Sequence, residues 1–292
     1  MAIFYYRDFR TDFASSNFGD DINPFLMGNL FSRKLIDSEK VCIVGVGTLI
    51  NDKNINKIQN FSKKIIFSSG VGYGEVKNRL DASWDLVCVR GPKSAFQLGV
   101  DPKYGIADGA ILLSDYFPVI DSSQRTSGNI FIPHIRTHWA AGLPLKDAVE
   151  SIGFRYVTPD LPPEKFIEIV SSSRLVVTEA MHGAILADTM RTPWIPINIF
   201  EHLAFKWEDW YESMGIEYAI HNLNPKIWNP PKNLIYRYLK MPYQDFKKRS
   251  IARFLEKLID TATPCLSEND VLVERKAQLY EKIDYINMKY GL

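Results

Sequence analysis

Residues able to bind anions or move protons gather directly after the apolar runs of this sequence. They are Asn17, Gly19 and Asp20; Gly45 and Gly47; Gly70, Gly72 and Gly74; Arg90; Asp108; His134, Arg136 and His138; Glu179 and His182; and, on a late helix, Lys206. Three of the five histidines fall in these places, where chance would set most charged groups on solvated helix faces. The glycine turns GVG at 45–47 and GVGYG at 70–74 let backbone N–H groups approach an anion, because no Cβ intervenes. They also serve as tight strand-to-helix turns, and neither has the spacing of a dinucleotide or triphosphate loop. Arg90, just before Gly91-Pro92, offers a guanidinium fork suited to a carboxylate or phosphate; otherwise it is a surface arginine. In TEAMHGAILAD at 178–188 a strand ends at Glu179, and His182 and Gly183 open a helix. A helix N-terminus favours anions and lowers the pKa of a nearby imidazole; the alternative is a satisfied core histidine.

The elements that must position these groups alternate as strand and helix, the pattern of parallel α/β sheets. Strands are expected at 3–6, 41–47, 64–74 and 85–91, then at 129–134, 154–157, 174–179 and 194–199. Helices are expected at 22–35, 92–99, 162–173, 181–191 and 202–215. Near-continuous apolar strands such as VCIV and LVCV suit sheets covered on both faces. The polar stretch DSSQRTSGN at 121–129 reads as a linker, so one Rossmann-like lobe is expected over 1–125 and a second over 126–222. A Pro/Asn-rich loop then leads to two helices near 243–262 and 267–288, a helical extension over 223–292 packed on the lobes. In open α/β sheets ligands bind beyond the carboxyl ends of the strands, which is where the chemical residues stand.

Composition bounds the rest. The 292 residues are 46% hydrophobic and 24% charged, with a formal charge of +1, so no basic footprint points to nucleic acid. Three cysteines without a CxxC pair, two of them in apolar strands, argue against a disulfide framework or a zinc site. The N-terminus is too briefly apolar for a signal peptide, and no run is long enough to span a membrane, so a cytoplasmic protein is expected. The segment DFKKRSIARFLEKLI at 245–259 sets basic residues beside Ile251, Phe254, Leu255 and Leu258. It reads as an amphipathic helix packed on the body or, alternatively, as a peripheral contact with the inner membrane.

The pieces NFGDDINPFL at 17–26, the turn at 45–47, GVGYG at 70–74, VRGPKSAFQLG at 89–99 and VVTEAMHGAILADTMRTPWIPI at 176–197 together resemble the polysaccharide pyruvyl transferase family. FKW at 205–207 matches the lysine-plus-aromatic element that follows, and PHIRTHW at 133–139 is similar to the exopolysaccharide, succinoglycan-type branch. Gly45-Val46-Gly47 stands where the family commonly has three glycines. The resemblance implies a GT-B-like fold of two lobes, phosphoenolpyruvate as donor substrate, a sugar or lipid-linked oligosaccharide as acceptor, and no metal or other cofactor. It further implies that Arg90, Arg136 and Lys206 converge on the donor's charges, with Gly47, Gly72 and Gly183 admitting it closely. His182 is then the first choice as acid/base and His134 or His138 the second. Asp20 and Asp108 would position sugar hydroxyls, Asn17 and Gly19 would bind substrate, and Glu179 would orient His182 or bind the acceptor. Two other functions suit the same α/β pattern: a nucleotide-sugar glycosyltransferase and a non-catalytic scaffold of polysaccharide assembly.

Overall fold

A computed structural model describes residues 2–6, 17–76, 80–199, 203–223 and 241–291. Along the chain these form β1 (Ile3–Phe4), α1 (Phe18–Leu30), α2 (Arg33–Ile36), β2 (Val41–Val44), β3 (Gly47–Ile50), α3 (Asp52–Ile55), β4 (Lys63–Val71), β5 (Trp84–Val89) and α4 (Pro92–Gln97). There follow β6 (Ile130–Ile132), α5 (Ile135–Glu150), β7 (Arg155–Tyr156), α6 (Pro163–Ser172), β8 (Val176–Thr178), α7 (Met181–Thr189), β9 (Trp194–Asn198) and α8 (Ala204–Ser213). The last elements are β10 (His221–Asn222), α9 (Met241–Thr261) and α10 (Asn269–Tyr290). The protein is therefore α/β, with two separate sheets. The Pro/Asn-rich loop expected after residue 222 lies mostly outside the described residues.

The first sheet is built on β4, whose buried run KIIFSSGV has neighbours on both sides. β2 pairs along its first half and β3 along its second, β5 covers the other edge, and β1 lies outside β2. Every pairing is parallel. The single strand expected over 41–47 is two: the turn at Gly45-Val46 breaks it, and β3 resumes beside the far end of β4. The helix expected from residue 22 begins earlier, after Asn17, and stops at Leu30. Phe31 is extended there, and Ser32 caps α2 by accepting from the Leu35 N–H at 3.4 Å.

The second sheet runs β10-β9-β8-β6-β7, again all parallel. α5 is not among the helices expected from the sequence; it runs through Gly142 and Pro144 with a kink at Gly142, φ 40°. Its buried face, Ala141, Leu145, Ala148 and Val149, shares a core with Phe131, Val177, Ile195 and Ile197 of the sheet.

Contacts group residues 1–117, 203–218 and 267–292 into one compact unit and 118–202 and 219–266 into the other. This grouping cuts across the expected boundaries at 125 and 222, and it divides the C-terminal helices. α9 belongs with the second unit: Ile251, Leu255 and Leu258 are buried in the core beside α5, with Phe254 packed against it, and Lys248 pairs with Asp147 at 2.7 Å. The apolar stripe considered for a membrane contact is thus taken up by protein. Burying such side chains stabilises by about 1.5–3 kcal/mol each. α10 belongs with the first unit. Asn287 accepts from the Ser32 N–H and donates to the Leu30 carbonyl at 3.0 and 2.9 Å. Tyr290 and Lys289 converge on Asp85 of β5 at 2.6 and 2.9 Å. Among the described residues no helix is long and apolar enough to cross a membrane.

Candidate functional site

At the strand ends of the first unit, the turn between β2 and β3 is held by a residue the sequence reading passed over. Asn23 is fully buried; its Oδ1 accepts from the Val46 N–H at 2.7 Å and its Nδ2 donates to the Val46 carbonyl at 3.1 Å. A Cβ on Gly45 would lie 2.1 Å from that Oδ1, so Gly45 is there to admit the asparagine. Gly47, at φ 124°, turns the chain into β3. A Cβ on it would come within 3.9 Å of Asp20 Oδ1. Asp20 and Asp21 sit in the first turn of α1, where carboxylates favour the helix dipole, and Asp20 accepts from the Asn17 side chain at 3.0 Å. Asn17, Asp20 and Gly47 therefore do come together, and Gly19 is buried within the helix beside them.

Arg90 follows β5, as expected, but it is 0% exposed and its guanidinium is engaged by protein. Nε donates to Asp209 of α8 at 3.0 Å, one terminal nitrogen to Thr48 Oγ1 at 2.9 Å, and the other to the Val71 carbonyl and Asp209. Asp209 also accepts from the Ser94 N–H at 2.8 Å and from the Ser94 hydroxyl. Gly70 and Gly91 have their reasons here: a Cβ on Gly70 would strike the guanidinium carbon at 2.2 Å, and one on Gly91 the Asp209 carbonyl at 2.0 Å. The expectation that Arg90 grips a substrate anion meets a guanidinium engaged by protein at Nε and both terminal nitrogens. Its fork faces Asp209, and it pins α8 to the sheet as a positioning residue. Asp108, expected to position a sugar hydroxyl, is fully buried, and its Oδ1 caps the 3-10 turn Gly109–Asp115 by accepting from the Ala110 N–H at 3.1 Å.

Lys206 lies on α8 one turn before Asp209, on the same face, so the Arg90–Asp209 pair sets its position. It is 8% exposed. Its ammonium donates to the Tyr73 hydroxyl at 3.1 Å and lies 5.4 Å from the centroid of that ring. No carboxylate pairs with it among the described residues. Gly72, at φ 157°, permits the approach of α8: a Cβ there would meet Thr48 Cγ2 at 2.9 Å and Leu203 at 3.2 Å.

In the second unit the strand ends carry the histidines. Glu179, 4% exposed, accepts from the His134 N–H at 3.0 Å with one oxygen and from the Ile199 N–H at 3.1 Å with the other. It thereby ties the ends of β6, β8 and β9 together. The expectation that it orients His182 or binds the acceptor meets a carboxylate with both oxygens on backbone donors. His134 caps α5, its Nδ1 accepting from the Arg136 N–H at 3.3 Å. One turn on, His138 Nδ1 lies 3.1 Å from the hydroxyl of Tyr156, a buried phenol whose pKa is pushed up by desolvation and, secondarily, by Glu179. The Arg136 residue is exposed.

α7 is buried along its whole length except at His182. Gly183 lets the helix close on the sheet: a Cβ there would lie 2.7 Å from Thr178 Oγ1 and 3.3 Å from Ile132. His182, in the first turn of the helix, is thus its one residue that is not fully buried. His134 and His182 stand at the ends of β6 and β8, which are neighbours in the sheet.

Two comparisons bear on these constellations. Over 204 aligned residues the chain is 34% identical to the Succinoglycan biosynthesis protein ExoV of Rhizobium meliloti (strain 1021). That alignment covers 69% of this chain and 63% of the relative, so the chain spans less than two thirds of the relative's length. The family model for polysaccharide pyruvyl transferase matches residues 3–202, which takes in every strand-end residue named above except Lys206, and the chain belongs to the polysaccharide pyruvyl transferase family.

Proposed function

We propose that the chain transfers the enolpyruvyl unit of phosphoenolpyruvate onto two hydroxyls of a sugar in a bacterial surface polysaccharide or exopolysaccharide repeat unit, forming a cyclic pyruvate ketal. Family membership supports the reaction class. The observation that carries the donor is Lys206, a buried ammonium beside the glycine turn at 70–74 with no carboxylate partner among the described residues. A buried charge without a counter-ion is costly, and an anionic substrate group offsets that cost. The GT-B-like arrangement of lobes, a lipid-linked acceptor and a cytoplasmic site of action belong to the same proposal.

The chemistry assigns roles to these side chains. A proton is delivered to the enol methylene, leaving an oxocarbenium-like carbon. One sugar hydroxyl attacks it and loses its proton. Phosphate departs, and the second hydroxyl closes the ring and loses its own proton. One proton ends on the new methyl group and the surplus one on phosphate. Lys206 holds the donor's anionic end. His182 moves the protons, with His134 as its partner in the second unit, since imidazole titrates in the required range. Asn17, Asp20 and Arg136 orient sugar hydroxyls or the donor carboxylate.

The test follows phosphate release from phosphoenolpyruvate with exopolysaccharide oligosaccharides as acceptors, together with the gain of a pyruvate ketal by mass. His182→Ala is expected to lose about 10²–10⁴-fold in turnover while keeping its melting temperature. Turnover within a few-fold of wild type in that variant removes His182 from the mechanism. Thermal stabilisation by a nucleotide sugar, with none by phosphoenolpyruvate, replaces the donor.

A further inference from the structure

We propose that Tyr73 is an anion-binding residue: together with Lys206 it forms a two-residue seat in which the phenol donates to the same oxyanion that the ammonium holds. This rests on the reading of Lys206 as the seat of the donor's anionic end and adds a residue that neither the family match nor the sequence motifs assign a role.

The geometry argues for it in three steps. First, the Tyr73 oxygen accepts a hydrogen bond from the Lys206 ammonium at 3.1 Å, so its own hydrogen is directed elsewhere. A hydroxyl that accepts from a cation is polarised into a stronger donor. The ammonium keeps two further N–H groups, so the pair presents donors from two side chains to one anion. Second, the backbone is shaped to place this ring. Gly72 and Gly74 flank Tyr73 at φ 157° and 84°, conformations that side-chain-bearing residues rarely adopt, and a Cβ on Gly72 would collide with Thr48. Third, Tyr73 is 42% exposed, and its described interactions are those with Lys206. An exposed tyrosine whose ring and hydroxyl both face a buried ammonium has no part in the hydrophobic core, and its removal leaves that core intact.

The experiment is calorimetric titration of inorganic phosphate and of phosphoenolpyruvate into wild type, Tyr73→Phe and Lys206→Met, each checked by melting temperature. Phenylalanine keeps the ring over the ammonium and removes only the hydroxyl. The seat predicts that Tyr73→Phe binds both anions about 10–100-fold more weakly, the loss of one hydrogen bond to a charged group, with an unchanged melting temperature. Lys206→Met is expected to bind neither. Wild-type affinity in Tyr73→Phe overturns the proposal. Tighter binding overturns it too, since the phenol would then only compete for the ammonium. Wild type that binds neither anion leaves no seat, and the proposal falls. Phosphate binding that depends on Tyr73, without binding of phosphoenolpyruvate, upholds the seat and rejects the donor.

Discussion

Arg90 and Lys206 are two cations buried in the same unit, one at the end of β5 and the other on α8, and they have opposite surroundings. Arg90 is 0% exposed and meets a carboxylate, a hydroxyl and a carbonyl. Lys206 is 8% exposed and meets a phenol. From sequence both were a basic residue next to an apolar run, and both were expected to hold the donor. The difference shows that burial of charge does not by itself mark a ligand site. Under the proposed function, what marks it is a buried charge for which the described residues offer no carboxylate. Asp209 makes the distinction, because by pairing with Arg90 it fixes α8 and leaves Lys206 to something else.

The strongest way to break this comparison is to remove each cation in turn. Arg90→Met strands Asp209 as a buried carboxylate with only Ser94 beside it. It should lower unfolding free energy by about 3–5 kcal/mol in urea titrations, the usual loss when one partner of a buried pair is removed. Adding Asp209→Asn should recover part of that loss, because the amide keeps an acceptor for the Ser94 N–H and carries no charge. Lys206→Met should change stability by less than about 1 kcal/mol, since a buried charge with no carboxylate beside it among the described residues is replaced by an apolar chain of similar length. Equal destabilisation by Arg90→Met and Lys206→Met would erase the distinction between a positioning cation and a binding one.

Much of the frame behind this was readable in the sequence. The apolar runs VCIV, IIFSSGV, LVCV and WIPIN lie in strands, and HGAILAD is a helix, because period and composition are local properties. What was hidden depended on partners far away in the chain. Nothing near Arg90 announces that its counter-ion stands at Asp209, and nothing near Gly45 announces that the glycine makes room for Asn23. Tyr73 sat in plain view within GVGYG and was passed over for its glycines. The two C-terminal helices read from the sequence as one extension packed on the lobes. Only their contacts, Ile251 and Leu255 with the α5 core and Asn287 with Leu30, send α9 and α10 to different units.

The second unit sharpens the comparison from the side of negative charge. Glu179 is a buried carboxylate whose oxygens accept from two backbone N–H groups, so it plays for β6, β8 and β9 the part that the Arg90–Asp209 pair plays for α8. Glu179→Gln keeps the shape but turns one acceptor into a donor facing an N–H. The expected loss is about 1–3 kcal/mol, with faster amide exchange at His134 and Ile199. A turnover defect from this variant should therefore accompany that loosening. If turnover collapses while both amides stay protected, Glu179 acts on the substrate itself and the scaffold reading of it is wrong.

The smallest effect is also the most local. Burial pushes the Cys88 thiol, two residues before Arg90, up to about 12, whereas Cys265 in the second unit is pushed to about 11 and is only half-buried. Alkylation requires the thiolate, so in the folded protein at pH 8 Cys88 should react at least about tenfold more slowly than Cys265. That ratio is a probe of β5. Arg90→Met should raise the Cys88 rate, because the strand end it anchors opens more often, while the Cys265 rate stays constant. Lys206→Met should leave both rates as they are. A Cys88 rate indifferent to Arg90→Met would mean that the pair with Asp209 holds α8 alone and contributes nothing to the strand from which Arg90 emerges.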